Sequence, residues 1–185
     1  MSSATSSLRR LYFIRAAFAL VWAVVVGVTA SRLGPISIVL LVLYPLFDVA
    51  AAIIDARASK RSQNVVGLYV NIAVSTFAAV GIAVAVGTSG IPGVLRVWGA
   101  WAIVSGVIQL IVGIGRRKMG GQWPMILSGA LSVGAGSSFI LMASNPGASL
   151  VTVAGYAALG GIFFLVSAVR LGAVTTKAPV SSGVA

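Results

Sequence analysis

Six apolar stretches, each long enough to cross a lipid bilayer, constrain this chain more than any other feature of its sequence. They cover residues 11–30, 36–54, 65–86, 94–113, 123–143 and 150–169. A helix needs about 20 apolar residues to cross the hydrocarbon core. Charged residues make up only 8% of the chain, against about 25% in an average soluble domain. The sequence therefore predicts an all-α membrane protein with six transmembrane helices in contact with the lipid bilayer.

Polar segments flank a single transmembrane domain. Residues 1–10 are a polar N-terminal lead, residues 11–172 the six-helix domain, and residues 173–185 a small, polar tail that we expect to be disordered. Within the domain, the helices group into three helical hairpins at 11–57, 65–115 and 122–170.

The basic residues indicate how the domain is oriented. Only Arg32 and Arg96 fall near the turns inside the three hairpins, whereas the other eleven Lys and Arg residues fall at the opposite ends. The eleven are Arg9, Arg10, Arg15, Arg57, Lys60, Arg61, Arg116, Arg117, Lys118, Arg170 and Lys177. Cytoplasmic loops of membrane proteins collect Lys and Arg. The sequence therefore predicts that the N- and C-termini are both cytoplasmic.

An internal repeat relates the three hairpins. A proline stands beside a glycine between the helices of each hairpin, with one aromatic residue 23 positions before it and another nine or ten positions after it. The prolines are Pro35, Pro92 and Pro146, and the aromatic residues are Tyr12, Tyr69 and Trp123 before them and Tyr44, Trp101 and Tyr156 after them. Because each hairpin begins and ends on the same side, we predict parallel repeats about a pseudo-threefold axis along the membrane normal.

The first apolar stretch has a second interpretation. Arg9 and Arg10, the apolar run and the sequence Val28-Thr29-Ala30 are similar to a secretory signal peptide with its cleavage site. The repeat favours a first helix that is retained, because that helix completes the first hairpin.

The composition excludes most catalytic chemistry. The chain has no cysteine and no histidine, and Asp48 and Asp55 are its only acidic residues. Cysteine nucleophiles, Ser-His-Asp catalysis and His- or Cys-ligated metals are thereby excluded, and two carboxylates are too few for a Mg²⁺ or Ca²⁺ cluster. The net charge of +11 comes from connections between apolar runs, which does not favour a nucleic-acid partner. We predict a non-enzymatic protein without cofactor or metal.

Asp48 is the residue most in need of a partner. It lies inside the second helix, where a carboxylate costs ~2.5–3 kcal/mol on insertion scales. Arg15 lies in the first helix within a few ångströms of the same level, by the rise of ~1.5 Å per residue, so the two residues can form an ion pair. Pro45, three residues before Asp48, predicts a kink. Three interpretations stay open: a proton- or ion-sensitive site, a structural pair, or an arginine that extends to the interface.

Other polar and small residues lie inside the apolar stretches. Asn71 and Gln109 are expected to form hydrogen bonds between helices, worth ~0.6 kcal/mol each on average. Small residues four apart recur in the fifth and sixth helices, at Ala130/Gly134, Ser132/Gly136, Gly134/Ser138 and Ala157/Gly161. Such residues allow helices to approach closely. They predict packing of the fifth helix against the sixth, with dimerisation faces as the alternative.

Several segments resemble the HdeD-like acid-resistance membrane proteins, a family built on a short membrane repeat of unknown function. The similar segments are ILSGALS at 126–132, NPG at 145–147 and AWAIVSGVI at 100–108. Arg15, Tyr44 and Asp48 are similar to residues of the family's first two helices. Ala16 and Val49 depart from its pattern, as do the neutral Asn71 and Gln109 where relatives often have acidic residues. The resemblance implies a six-helix protein of the bacterial inner (plasma) membrane that is linked to acid stress.

Three functions follow as hypotheses. The first is a non-enzymatic membrane protein that supports acid-stress tolerance or membrane integrity. The second is a small channel or transporter with a polar path near Asp48. The third is a scaffold that binds another membrane protein, or a second copy of the chain, through its glycine-rich faces.

Overall fold

The computed structural model describes residues 3–30, 32–58, 65–115 and 123–176. This part of the chain forms six α-helices and contains no strand. They are α1 (Ser3–Thr29), α2 (Pro35–Ala58), α3 (Val65–Thr88), α4 (Gly90–Gly115), α5 (Trp123–Met142) and α6 (Val151–Thr176). The prediction of an all-α protein with six long apolar helices is confirmed.

Each helix is long and apolar enough to cross a membrane. No more than 33% of the most apolar window of any helix is buried within the protein. Many large apolar side chains are therefore on the surface, such as Val28 and Phe77, both 78% exposed. Such a surface is expected where the surrounding solvent is lipid, because apolar side chains contact hydrocarbon without cost. The helices have the character of a multi-pass membrane protein.

The helices extend beyond the predicted spans. α1 begins at Ser3, inside the predicted polar lead, and α6 continues to Thr176, past the start of the predicted tail at residue 173. Helices continue past the hydrocarbon core because their backbone bonds do not depend on apolar side chains. Residues 177–185, the remainder of the predicted tail, lie outside the described residues.

Two of the three predicted turn prolines lie within helices. Pro35 is the first residue of α2 and Pro92 is in the first turn of α4, whereas Pro146 lies in the α5–α6 turn. A proline fits the first helical turn because the backbone N–H groups there have no intrahelical acceptor. The α3–α4 turn consists of Ser89 alone, and Gly90 follows it with φ +61°, a conformation that favours glycine.

The helices stand in a ring in chain order, with α6 against α1. The closest packing joins α4 with α5, α1 with α6 and α2 with α3, whereas α1 with α2 and α5 with α6 are in much looser contact. We call the end of the bundle formed by the α1–α2, α3–α4 and α5–α6 turns the turn end. The opposite end, where α1 begins and α6 stops, is the terminal end.

The prediction that α5 packs against α6 through small residues is wrong. Two glycines of α5 contact α4 instead: a Cβ added to Gly136 would lie 2.5 Å from the carbonyl oxygen of Gly99, and one added to Gly129 would lie 2.7 Å from that of Gly106. Both helices carry glycines seven residues apart, and the two pairs face each other in antiparallel order. Their backbones approach closely because neither helix has a side chain at these points. On α6, a Cβ at Gly161 would lie 3.2 Å from Ala19 of α1.

The packed core lies toward the turn end. It is built from large side chains of all six helices, and it closes the bundle there. Its largest fully buried members are Trp22, Leu41, Ile82, Leu95, Trp98, Phe139 and Leu150. The half of the bundle nearer the terminal end is different, because it encloses a cavity.

Candidate functional site

The site is built around the carboxylate of Asp48 on α2, which accepts hydrogen bonds from two neighbouring helices. Its Oδ1 atom forms an ion pair with Nη2 of Arg15 on α1. Its Oδ2 atom accepts from Asn71 Nδ2 and from Ser75 Oγ of α3, each at 2.8 Å. The structure therefore joins three of the residues singled out in the sequence, Arg15, Asp48 and Asn71, and adds Ser75. We call these four residues the Asp48 network.

Two aromatic side chains extend the Asp48 network to α4 and α6. Trp101 Nε1 of α4 donates to Ser75 Oγ at 3.2 Å, so the serine hydroxyl both donates and accepts. The guanidinium carbon of Arg15 lies 4.6 Å from the ring centroid of Phe164 on α6, within cation–π distance. Five of the six helices thus contribute to one connected group of side chains.

The charges of the network are largely, but not completely, removed from the surface. The side chains of Arg15 and Asp48 are 13% and 18% exposed. A carboxylate in an apolar bundle is retained only if its lone pairs are occupied. With both oxygens bonded, Asp48 meets that requirement. The remaining exposure is toward the interior, since both residues line a cavity.

α2 continues through Pro45 without interruption. The proline has no N–H for the carbonyl oxygen of Leu41, one turn earlier. The preceding carbonyl oxygen, that of Leu40, accepts a hydrogen bond from Trp22 Nε1 of α1 at 2.7 Å. Pro45 therefore lies between the hydrogen bond that joins α2 to α1 through Leu40 and Asp48, which is one turn further along α2.

A central cavity of about 1550 Å³ occupies the ring of helices, and all six helices line it. Its polar lining includes Arg15, Asp48 and Asn71, together with Gln109 of α4 and Arg170 of α6. Most of the other lining residues are apolar or small. This combination can bind an amphipathic molecule, because apolar surface supplies affinity and a few polar groups fix orientation.

Aromatic rings border the central cavity where it meets the packed core. Tyr44, Trp98 and Trp101 line it and contact one another, with ring centroids 5.0–6.1 Å apart. Tyr156 of α6 also lines it, and its hydroxyl donates to Ser132 Oγ of α5 at 2.9 Å. Tyr44, Trp101 and Tyr156 are the aromatic residues that follow the three prolines of the sequence repeat. All three therefore lie in the wall of one cavity.

Gln109 is in the cavity wall but belongs to no hydrogen bond of the Asp48 network. Sequence reasoning grouped it with Asn71, yet only Asn71 bonds to Asp48. Ser75 was missed, although a signal for it exists: it follows Asn71 by one helical turn and so lies on the same face of α3. The contacts of Trp101 and Phe164 have no comparable local signal.

The chemistry available to the site is limited by its residue types. Within the described residues, no group of three His, Cys, Asp or Glu side chains is placed to hold a metal ion. The central cavity contains one carboxylate, and Arg15, Asn71 and Ser75 already bond to it. What the arrangement offers is a binding volume with a fixed internal ion pair. Comparison of the chain with protein-family models, with curated proteins and with solved structures finds no match.

Proposed function

We propose that this chain is a non-enzymatic, multi-pass protein of the bacterial inner membrane that binds an amphipathic ligand in its central cavity. The proposal rests on the cavity, which is large, mostly apolar and lined by the Arg15–Asp48 ion pair. The resemblance to HdeD-like proteins supports acid-stress tolerance or membrane integrity as its physiological role.

We also propose that the three hairpins are parallel repeats about a pseudo-threefold axis. Two features support this arrangement. The closest helix pairs, α2–α3, α4–α5 and α6–α1, are the three interfaces between successive hairpins. The repeat-related Tyr44, Trp101 and Tyr156 share the wall of the central cavity, as residues at equivalent positions around an axis would.

For the orientation, we propose that the terminal end faces the cytoplasm, which the distribution of basic residues supports. The chain has no cysteine, so single cysteines report topology without a background. In intact cells, a membrane-impermeant maleimide is expected to label Ser144→Cys in the α5–α6 turn. Ser6→Cys at the start of α1 is expected to react only after the membrane is opened. Labelling of Ser6→Cys alone in intact cells would show that the terminal end faces outward, opposite to the proposed orientation.

The role in acid tolerance is tested by survival. A deletion strain should survive acid shock less well than its parent, and the wild-type gene should restore survival. We expect Asp48→Asn to restore it only in part, because an amide cannot replace the negative charge that holds Arg15. Asp55→Asn, the same change at the other acidic residue, is the control and should restore survival fully. Full rescue by Asp48→Asn at normal protein level would remove Asp48 from the mechanism.

A small transporter is the second candidate, and the position of the Asp48 network in the cavity wall favours it. The packed core fills the turn end of the bundle, which supports a transporter more than a continuous pore. The purified protein in liposomes should then move protons or small solutes, and Asp48→Asn should change the flux. No flux across a broad panel of solutes would exclude this candidate.

The scaffold hypothesis receives less support. The glycines of α4 and α5 at positions 99, 106, 129 and 136 are used for contact between these two helices. They are therefore not open to a partner. A membrane-protein partner or a homo-oligomer would have to bind other faces of the bundle.

A further inference from the structure

The central cavity extends toward the turn end along one seam only, the seam between α5 and α6. On α1 to α4, the lining residues nearest the turn end are Arg15, Tyr44, Val74 and Trp98. On α5 and α6, the lining continues to Phe139 and Thr152, close to the turn that joins these two helices. The cavity therefore has the shape of a chamber with a cleft running down its α5–α6 side.

The two helices of this seam hardly touch. α5 and α6 are the loosest pair of neighbours in the ring. A hydrogen bond between Tyr156 and Ser132 and a ring pair between Phe139 and Tyr156 join them, and both involve Tyr156. On the terminal side of these contacts, Leu131 and Leu159 are 45% and 51% exposed and still line the cavity. Apolar side chains that neither helix covers therefore border the seam between α5 and α6.

Glycines keep this cleft open. Gly134, Gly155 and Gly160 all line the cavity, and a Cβ added to any of them would meet no atom within 4 Å. The glycines between α4 and α5 have the opposite environment, since a Cβ there would strike backbone atoms at 2.5–2.7 Å. Close helix packing therefore does not account for Gly134, Gly155 or Gly160. They leave space in a wall that is otherwise apolar.

The charge at the terminal end suits an anionic head group. Arg170 lines the cavity, is exposed, and forms no ion pair with a described residue. Asp48 is the one acidic residue among the lining residues, and the Asp48 network already occupies its oxygens. Arg10 and Arg57 are exposed at the same end. An uncompensated guanidinium beside an apolar chamber complements a phosphate attached to an aliphatic chain.

The dimensions agree with one leaflet of a bilayer. Half of the hydrocarbon core is about 15 Å thick, and ten helical residues rise about 15 Å. Gly160 lies ten residues from Arg170 in the direction of the turn end. A chain whose head group contacts Arg170 would therefore reach the level of Gly160, where the wall has no side chain.

We propose that the central cavity holds an acyl chain of an anionic phospholipid, which enters sideways between α5 and α6 and places its head group at Arg170. This inference rests on the proposed ligand-binding function and names the ligand. The lipid comes from the surrounding bilayer, so the cavity is filled without a soluble ligand. Removal of the occupant would leave the Asp48 network beside an empty volume.

The test uses the fluorescence of Trp98 and Trp101, which line the cavity, whereas Trp22 is fully buried in the packed core and adds a constant background. Trp123 is 78% exposed and is replaced by phenylalanine throughout, so that it does not report surface lipid. The protein is reconstituted in phosphatidylethanolamine vesicles containing increasing fractions of phosphatidylglycerol with brominated acyl chains. We expect quenching that saturates at a low fraction of the brominated lipid. Arg170→Gln should raise the half-saturating fraction about fivefold, the effect of about one basic group near an anionic lipid surface.

A matched pair of variants separates the cavity from the outer lipid shell. Gly160→Leu fills the cavity at a position with free space and should abolish the saturating component. Gly87→Leu adds the same side chain to an exposed position of α3 that also has free space and does not line the cavity, and should leave quenching unchanged. Quenching proportional to bulk lipid fraction in the wild type and in Gly160→Leu would overturn the proposal.

Acid survival distinguishes failure of this inference from failure of the proposed function. Saturating quenching without any acid phenotype of the deletion strain would support the lipid site and remove the acid-tolerance role. If quenching is proportional to the lipid fraction but the protein is needed for acid survival, the lipid site is excluded and the role in acid tolerance is retained. Equal quenching by brominated phosphatidylethanolamine would overturn recognition of the anionic head group.

Discussion

Replacing Gly136 by alanine is expected to lower the free energy of unfolding of the bundle by about 2–3 kcal/mol. The new Cβ would lie 2.5 Å from the carbonyl oxygen of Gly99 and 2.8 Å from Cγ1 of Ile103. A side chain can rotate away from such a contact, but a backbone oxygen in the middle of a helix cannot. α4 and α5 must therefore move apart, and this movement also loosens the second contact, between Gly106 and Gly129.

Gly134→Ala is the matched control, since it makes the same change two residues away on the same helix. A Cβ at this position meets nothing within 4 Å. Alanine is favoured over glycine by up to about 1 kcal/mol in a helix, so we expect unchanged or slightly higher stability. Unfolding by sodium dodecyl sulfate in mixed micelles measures both free energies. Equal effects of the two substitutions would contradict the close approach of α4 and α5.

The helices themselves were predictable from hydropathy because a segment in lipid must satisfy its own backbone hydrogen bonds. Long apolar runs therefore leave little choice of secondary structure. Their ends were less predictable, as Pro92 illustrates. It marks the α3–α4 connection in the sequence, but it lies inside the first turn of α4, where proline is tolerated.

The ion pair was predictable because two conditions coincide in the sequence. Asp48 needs a partner at its depth, and the antiparallel order of the first two helices puts Arg15 at the same level. Helical periodicity extends this reasoning to Ser75 once Asn71 is accepted as a contact. It does not reach Trp101 or Phe164, whose contacts depend on how α4 and α6 are placed around the ring.

The partner of α5 and the central cavity could not be predicted with the same rules. Small residues four apart show that a helix can be approached closely, but not by which neighbour. The seven-residue spacing shared by Gly99/Gly106 and Gly129/Gly136 was the better signal, because it matches one helix to another. A cavity is a property of the distances between helices, and no local pattern in the sequence encodes its volume.

Removing one partner of the Arg15–Asp48 pair is expected to cost more than removing both. Asp48→Leu leaves the guanidinium of Arg15 in the interior without its carboxylate, and Arg15→Leu leaves the carboxylate without its cation. Breaking a buried ion pair on one side costs about 3–5 kcal/mol, whereas replacing both partners by apolar residues is often nearly neutral. We therefore expect each single variant to lower the free energy of unfolding by about this amount.

The double variant Arg15→Leu/Asp48→Leu should recover most of that loss. What remains is the loss of the acceptor for Asn71 and Ser75, worth ~0.6 kcal/mol for each hydrogen bond between membrane helices. Ser75→Ala, which removes one neutral donor and leaves both charges in place, sets the scale for that remainder. Unfolding in micelles of the wild type, the two single leucine variants and the double variant completes the cycle. If the two single losses simply add in the double variant, the charges do not interact, and the pair does not hold α1 to α2.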